Sequence, residues 1–177
     1  MAEARIYLSL GSNIGDREEN LRAAIDELPH AGVKVTTVSS FYETEPVDLR
    51  EQPWFLNCVV EAETSLPPRQ LLDALQGIEH AFGSSKLVAR GPRLMDLDIL
   101  FYGASVIRTE EIEIPHPRMD NRRFVLIPLA ELAPDLRHPV LGATIAEMIS
   151  TVQDKSVVRL WQPQGKILYN KNSESTG

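Results

Sequence analysis

A single cysteine in 177 residues leaves Cys58 nothing to pair with inside the chain, and its neighbours Leu56, Val59 and Val60 make it a small core residue rather than a nucleophile. No apolar run approaches the length of a membrane span, and the opening M-A-E-A-R-I lacks the apolar stretch of a signal peptide, so the expected location is the cytoplasm. Basic charge is in deficit: the net charge is −7 and the pI is near 5.1, which argues against broad binding to nucleic acid or to an anionic membrane. The two commonest phosphate-cradling loops, G-x-x-x-x-G-K-[ST] and G-x-G-x-x-G, are both missing. A polyanionic ligand would therefore be met by local arginines and a metal ion. Internal repeats, low-complexity tracts and domain linkers are missing as well.

What remains is an ordinary globular composition, 43% hydrophobic and 24% charged, sufficient for one domain over residues 1–169. The polar N-K-N-S-E-S-T-G of residues 170–177 is expected to be a disordered tail. Alternation of Ile6, Leu8 and Leu10 with Tyr7 and Ser9 predicts a first strand, and Asp16 followed by Glu19 predicts a capped helix from Arg17 to Leu28. Val33 to Tyr42 and Trp54 to Glu63 read as strands joined by a loop of about a dozen residues, too short for a parallel crossover and so favouring an antiparallel pair. Pro67-Pro68 opens a helix lined by Leu71, Leu75 and Ile78. Next comes a strand ending at Tyr102, with a turn at Gly103 into Val106 to Arg108 as its hairpin partner. Helices over Asn121 to Leu132 and Thr144 to Thr151, then an edge strand at Val157 to Trp161, complete the chain. The order β-α-β-β-α-β is that of a ferredoxin-like α+β sandwich, a mostly antiparallel sheet with helices packed on one face, here with added C-terminal helices.

Chemistry concentrates in R-G-P-R-L-M-D-L-D-I-L-F-Y, residues 90–102. Asp96 and Asp98 lie two apart in a run that favours a strand, which points both carboxylates to one face. Like charges so placed repel, so either a cation lies between them or they form the wet face of a half-buried strand and pair with Arg90 and Arg93. Hard carboxylate oxygens without cysteine or a second histidine nearby suit Mg²⁺, which completes its octahedron with water and phosphate. Asn57, on the same strand face as Phe55, is either solvated or a partner for the polar edge of a ligand. His116, stiffened between Pro115 and Pro117, is either a preset hydrogen-bonding side chain or part of a structural turn.

Taken together, G-S-N (11–13), S-S-F-Y-E-T-E-P (39–46), Q-P-W-F-L-N (52–57), I-E (78–79), G-P-R-L-M-D-L-D-I-L (91–100), I-P-H-P (114–117) and N-R-R-F-V-L-I-P-L (121–129) resemble the 6-hydroxymethyl-7,8-dihydropterin pyrophosphokinase family of folate biosynthesis. The likeness runs from about Ile6 to Leu136. It implies transfer of pyrophosphate from ATP to the pterin hydroxymethyl group with release of AMP, and two Mg²⁺ ions held by Asp96 and Asp98. It also implies a pterin ring stacked between Phe55 and Phe124, its polar edge met by Asn57, Asp96 and the Thr44–Pro46 loop, with Arg122 nearby. Nucleotide contacts would come from Glu79, Lys86, Arg90, Arg93, Ile99 and His116, with Arg90 and Arg93 also serving catalysis. The implied partners are ATP and the reduced pterin alone, with no nucleic acid, membrane or obligatory protein partner, and a monomer is expected.

Two departures stand out. Where the family carries G-R-x-R-x-x-R before G-P-R, this chain has G-S-S-K-L-V-A-R and is one residue short, so a lysine, lacking the bidentate fork, takes one arginine's place. Residues Glu110 to Glu113 are acidic where some members place basic nucleotide contacts. The competing readings are a relative that binds pterin or nucleotide without turnover, and another Mg²⁺-dependent phosphoryl or nucleotidyl transferase.

Overall fold

The computed structural model describes residues 2–47, 51–83 and 94–162. In chain order the elements are β1 (Ala4–Ser12), α1 (Arg17–Glu27), β2 (Lys34–Val38), β3 (Tyr42–Thr44), β4 (Phe55–Thr64), α2 (Pro68–Ala81), β5 (Asp96–Tyr102), β6 (Ile107–Arg108), β7 (Glu113–Ile114), α3 (Arg123–Leu132), α4 (Ile145–Thr151) and β8 (Val158–Leu160). None of these helices is long and apolar enough to cross a membrane.

β1 is the axis. It pairs antiparallel with β4 on one side and β5 on the other, and from Ile6 to Ser12 every residue is buried. The sheet runs β5-β1-β4-β3-β8 with β2 sharing the outer edge of β4, which is the antiparallel α+β arrangement expected from the element order. Ile6, Leu8, Leu10, Leu56, Cys58, Val60, Leu97 and Ile99 form one face and pack on Leu21, Ala24 and Leu28 and, from α2, Leu71, Leu75 and Ile78. Asp16 caps α1 by accepting a hydrogen bond from the Glu19 amide, 3.1 Å. Cys58 is fully buried, and that burial pushes its thiol up, which fits a core residue rather than a nucleophile.

The opposite face has its own core: Tyr7, Val59, Leu100 and Phe101 pack on Val125, Leu126, Leu129, Ile145 and Met148 of α3 and α4. Helices thus cover both faces, the C-terminal pair closing the side that the ferredoxin-like pattern leaves open. A bulge in β5 makes this possible. Tyr7 pairs with Phe101 and Leu8 with Ile99, so Leu100 has no opposite residue and both Leu100 and Phe101 turn toward α3 and α4.

Two expectations are corrected. The run Val33 to Tyr42 is two strands, because after Ser39 the chain leaves the ladder and the Ser40 amide donates to the Glu131 carboxylate, 2.6 Å. Val106 to Arg108 is not the hairpin partner of β5. Ile107–Arg108 pairs instead with Glu113–Ile114 across a turn in which Thr109 Oγ1 accepts from the Glu111 and Ile112 amides, while the His116 amide occupies the Leu100 carbonyl of β5, 3.1 Å.

Phe101 is 1% exposed and meets Tyr7 and His138 edge-on, with centroids 6.2 and 5.7 Å apart. Phe101→Ala is expected to cost about 3–5 kcal/mol in urea unfolding, and a loss below about 1 kcal/mol would show that the second core is loosely packed.

Candidate functional site

The cover of α3 and α4 stops short of the Ser12 end of β1, and the open sheet face there forms a cleft of about 800 Å³ including its mouth. Its floor is set by strand register. Gly11 pairs with Asn57 on β4 and Asp96 on β5, and Ser9 pairs with Asp98, so one row crosses the sheet as Asn57, Gly11, Asp96. Phe55, Asn57, Asp96 and Asp98 from the strands, Thr44 and Pro46 from the end of β3, and Arg122 and Phe124 from the start of α3 all line this cleft. Every residue to which the resemblance gave a pterin role therefore lines this one cleft.

Asn57 is neither solvated nor free. It is 4% exposed, and its Nδ2 donates to Oγ1 of the buried Thr44 at 2.5 Å, which holds the amide in place. Gly11 makes room for it: a Cβ at position 11 would stand 2.4 Å from Asn57 Oδ1. Above this floor the Arg122 guanidinium lies 5.4 Å from the Phe124 ring centroid, a cation–π contact at the cleft wall.

Asp96 and Asp98 are half-buried on the cleft side of β5. Behind them is Glu79 of α2, 9% exposed, whose Oε2 accepts the Leu97 amide at 3.2 Å. Burial first, then the charge of Asp96, a hydrogen bond shared with Asp96 and the charge of Asp98 push the Glu79 carboxyl upward, against the Leu97 amide. Glu79, expected near the nucleotide, is not among the residues lining the cleft that holds Asp96 and Asp98. Among the described residues no group of three or more His, Cys, Asp and Glu could hold a metal ion. The two-carboxylate set nonetheless fits Mg²⁺, which takes one or two protein carboxylates and completes its shell elsewhere.

A second groove follows the outer edge of β5, lined by Leu72, Leu97, Asp98, Ile99, Ile112, His116 and Pro117, with Thr109, Glu110, Glu111 and Glu113 along its wall. Two residues expected at a nucleotide, Ile99 and His116, meet here with Asp98, expected at a metal, and Asp98 belongs to both clefts. His116 Nδ1 accepts the Arg118 amide at 3.2 Å, so the neutral ring carries its proton on Nε2 and offers a donor. Burial first, then the charges of Arg122 and Arg118, against the pull of Asp96, lower its pKa to about 4. It is therefore a neutral donor at pH 7, not a phosphate-binding cation.

Lys86, Arg90 and Arg93 lie outside the described residues. Ser9, Gly11, Glu45, Val47, Gln52 and Arg118 also line the first cleft and were not anticipated. Period-two alternation from Asn57's neighbour strand would have placed Ser9 and Gly11 on the same face, and Gln52 is held by Asn13, whose Nδ2 donates to Gln52 Oε1 at 2.9 Å and to the Pro53 carbonyl at 3.0 Å. Nothing in the local sequence marks Arg118.

The first cleft thus brings an aromatic pair, a buried amide and two carboxylates together on an antiparallel sheet. Residues 7–134 match the family model for 7,8-dihydro-6-hydroxymethylpterin-pyrophosphokinase (HPPK), and the chain belongs to that family. It is 45% identical over 170 residues to the 2-amino-4-hydroxy-6-hydroxymethyldihydropteridine pyrophosphokinase of Bacillus subtilis, covering 96% of this chain and 97% of that one. It is 42% identical over 168 residues to the folic acid synthesis protein fol1 of Pneumocystis carinii, covering 95% of this chain but spanning only 22% of that longer protein. Among solved structures, a Plasmodium falciparum HPPK-DHPS chain superposes with TM-score 0.68 at 16% identity, over 84% of this chain and 45% of that one, a likeness of fold alone.

Two expectations follow from this geometry. Gly11→Ala should lower stability by about 1–3 kcal/mol through the clash with Asn57. Gly77→Ala on α2, where a Cβ meets nothing, should raise it by about 0.5–1 kcal/mol, both read as thermal midpoints. Because the native pKa of His116 is depressed below the unfolded value, native protein binds fewer protons between about pH 6.5 and 4, and stability is lost as pH falls through that window. His116→Gln should remove about 1–3 kcal/mol of that acid sensitivity, and an unchanged pH profile would refute the buried neutral histidine.

Proposed function

We propose that the chain transfers the β,γ-pyrophosphoryl group of ATP to the hydroxymethyl oxygen of 6-hydroxymethyl-7,8-dihydropterin, releasing AMP, in folate biosynthesis. The observation that carries this reading is the row Asn57, Gly11, Asp96 beneath Phe55 and Phe124, a floor and walls matched to a heterocycle with one polar edge. The likeness in sequence to the named Bacillus subtilis enzyme, across nearly the full length of both chains, supports the reaction class.

The pterin stacks between Phe55 and Phe124, and Asn57, held by Thr44, reads its amide edge. The Ile99 and His116 groove takes the nucleoside, where Leu72, Ile112 and Pro117 offer apolar contact and His116 Nε2 donates. Because Asp98 borders both clefts, the acceptor hydroxyl and the triphosphate meet at one strand, and positioning supplies much of the rate. Asp96 and Asp98 would hold Mg²⁺, with two ions expected from the family. When bound, the metal neutralises charge on the triphosphate and on the departing AMP. Lys86, Arg90 and Arg93, outside the described residues, are assigned to the phosphates by family position only, and no protein partner is required.

The test is AMP release from ATP with purified protein, Mg²⁺ and the reduced pterin, beside controls lacking pterin or metal. AMP that needs both establishes the kinase. Pterin binding without AMP would favour a non-catalytic binder, and AMP formed only with another acceptor would favour a different transferase. Asp96→Ala or Asp98→Ala should reduce turnover at least about 10³-fold with the fold retained, and full activity in either would overturn the metal assignment. Phe124→Ala should weaken pterin binding about tenfold, with little change in ATP affinity.

A further inference from the structure

The β3–β4 connection and the strand ends beside it bring Thr44, Glu45, Pro46, Val47, Gln52 and Phe55 to the pterin-side cleft. Its two stems are held from outside the cleft by one charged cluster. Arg17, at the start of α1, donates from one guanidinium nitrogen to the Trp54 carbonyl at 2.9 Å and from the other to Glu43 at 2.7 Å, so a single fork ties the outgoing stem to the incoming one. Arg159 on β8 donates its Nε to the other oxygen of Glu43 at 3.0 Å, makes a second hydrogen bond to it, and stacks 4.9 Å from the Trp54 ring centroid. Trp161 covers Arg17 at 5.0 Å and its amide donates to the Phe41 carbonyl at 2.8 Å. The Glu45 amide donates to the Val157 carbonyl at 3.0 Å, so the backbone ladder between β3 and β8 continues onto the cleft rim.

The cluster is built for rigidity. Glu43 is 13% exposed in its side chain and carries both arginines. Burial works to raise its carboxyl, but the hydrogen bonds from Arg159 and Arg17 outweigh that and hold it below the usual carboxylate range. Ion pairs networked on a partly buried carboxylate keep their geometry where isolated surface pairs do not.

We propose that Val157–Trp161 is a positioning strap, acting through Arg159, Glu43 and Arg17, that sets the Thr44–Val47 and Gln52–Phe55 stems at the spacing the pterin ring needs. Arg159 is a positioning residue: it touches no part of the cleft, and its effect passes through Glu43 and Trp54. This rests on the pterin assignment above, and the test separates the two. In Arg159→Ala, whose native side chain is 62% exposed and so dispensable for folding, pterin Kd should rise roughly three- to tenfold. ATP Kd and kcat at saturating pterin should stay within about twofold, and amide exchange at Glu45 in the ligand-free protein should quicken about tenfold. Arg159→Lys should recover only part of the affinity, since it lacks the fork. Arg69→Ala, which removes an exposed arginine paired with Asp73 and Glu111 away from the pterin-side cleft, should leave pterin Kd and Glu45 exchange unchanged. Unchanged pterin Kd in Arg159→Ala, unchanged Glu45 exchange, or an equal effect from Arg69→Ala would each overturn the strap. If the native protein binds no pterin, the assignment falls, while Glu45 exchange still reports whether β8 holds the stem.

Discussion

The absence of a side chain at position 11 is the condition on which the site depends. Gly11 sits on the most buried strand, between Asn57 and Asp96, and any Cβ there would enter the space Asn57 Oδ1 occupies. With the space open, Asn57 keeps its place beside β1, held by its hydrogen bond to Thr44 on the cleft floor. A flat ligand needs a flat floor, and one glycine in a row of larger residues supplies it.

The electrostatics follow from where β5 runs. Its two aspartates face the cleft because alternation is intact from Asp96 to Asp98, and only after Ile99 does the bulge shift the register to bury Leu100 and Phe101. Acidic polar chemistry and a packed core thus share one seven-residue strand, divided by a single extra residue. Glu79 reaches Asp96 from α2, and burial first, then the charge of Asp96, raises its carboxyl. The chain is acidic overall, and this cleft concentrates two of its carboxylates on one strand face.

Much of this was legible in the residues. The period-two pattern of Ile6 to Leu10 and the D-L-D run placed β1, β5 and both aspartates on their correct faces, because strand alternation is a local rule that burial enforces. The odd amide at Asn57 was visible as an anomaly in an apolar strand. What local rules could not give was the break after Ser39, which depends on Glu131 ninety-one residues away, or the pairing of β6 with β7, which follows from His116 having taken the edge of β5. Arg118 was invisible for the same reason, its place being set by the turn around His116 rather than by any periodicity.

The division of the molecule into two cores bears on how the site comes into being. The first core joins β1, β4 and β5 to α1 and α2, whereas the second needs α3 and α4 brought from the C-terminal third of the chain onto the far face. Phe55 and Asn57 belong to the early scaffold, but Phe124 and Arg122 arrive only with α3. A chain that had condensed its first core alone would carry half a binding site and no affinity to speak of. Occupancy of the cleft is therefore linked to the docking of the last layer, and each bound molecule fastens the C-terminal helices to the sheet they complete.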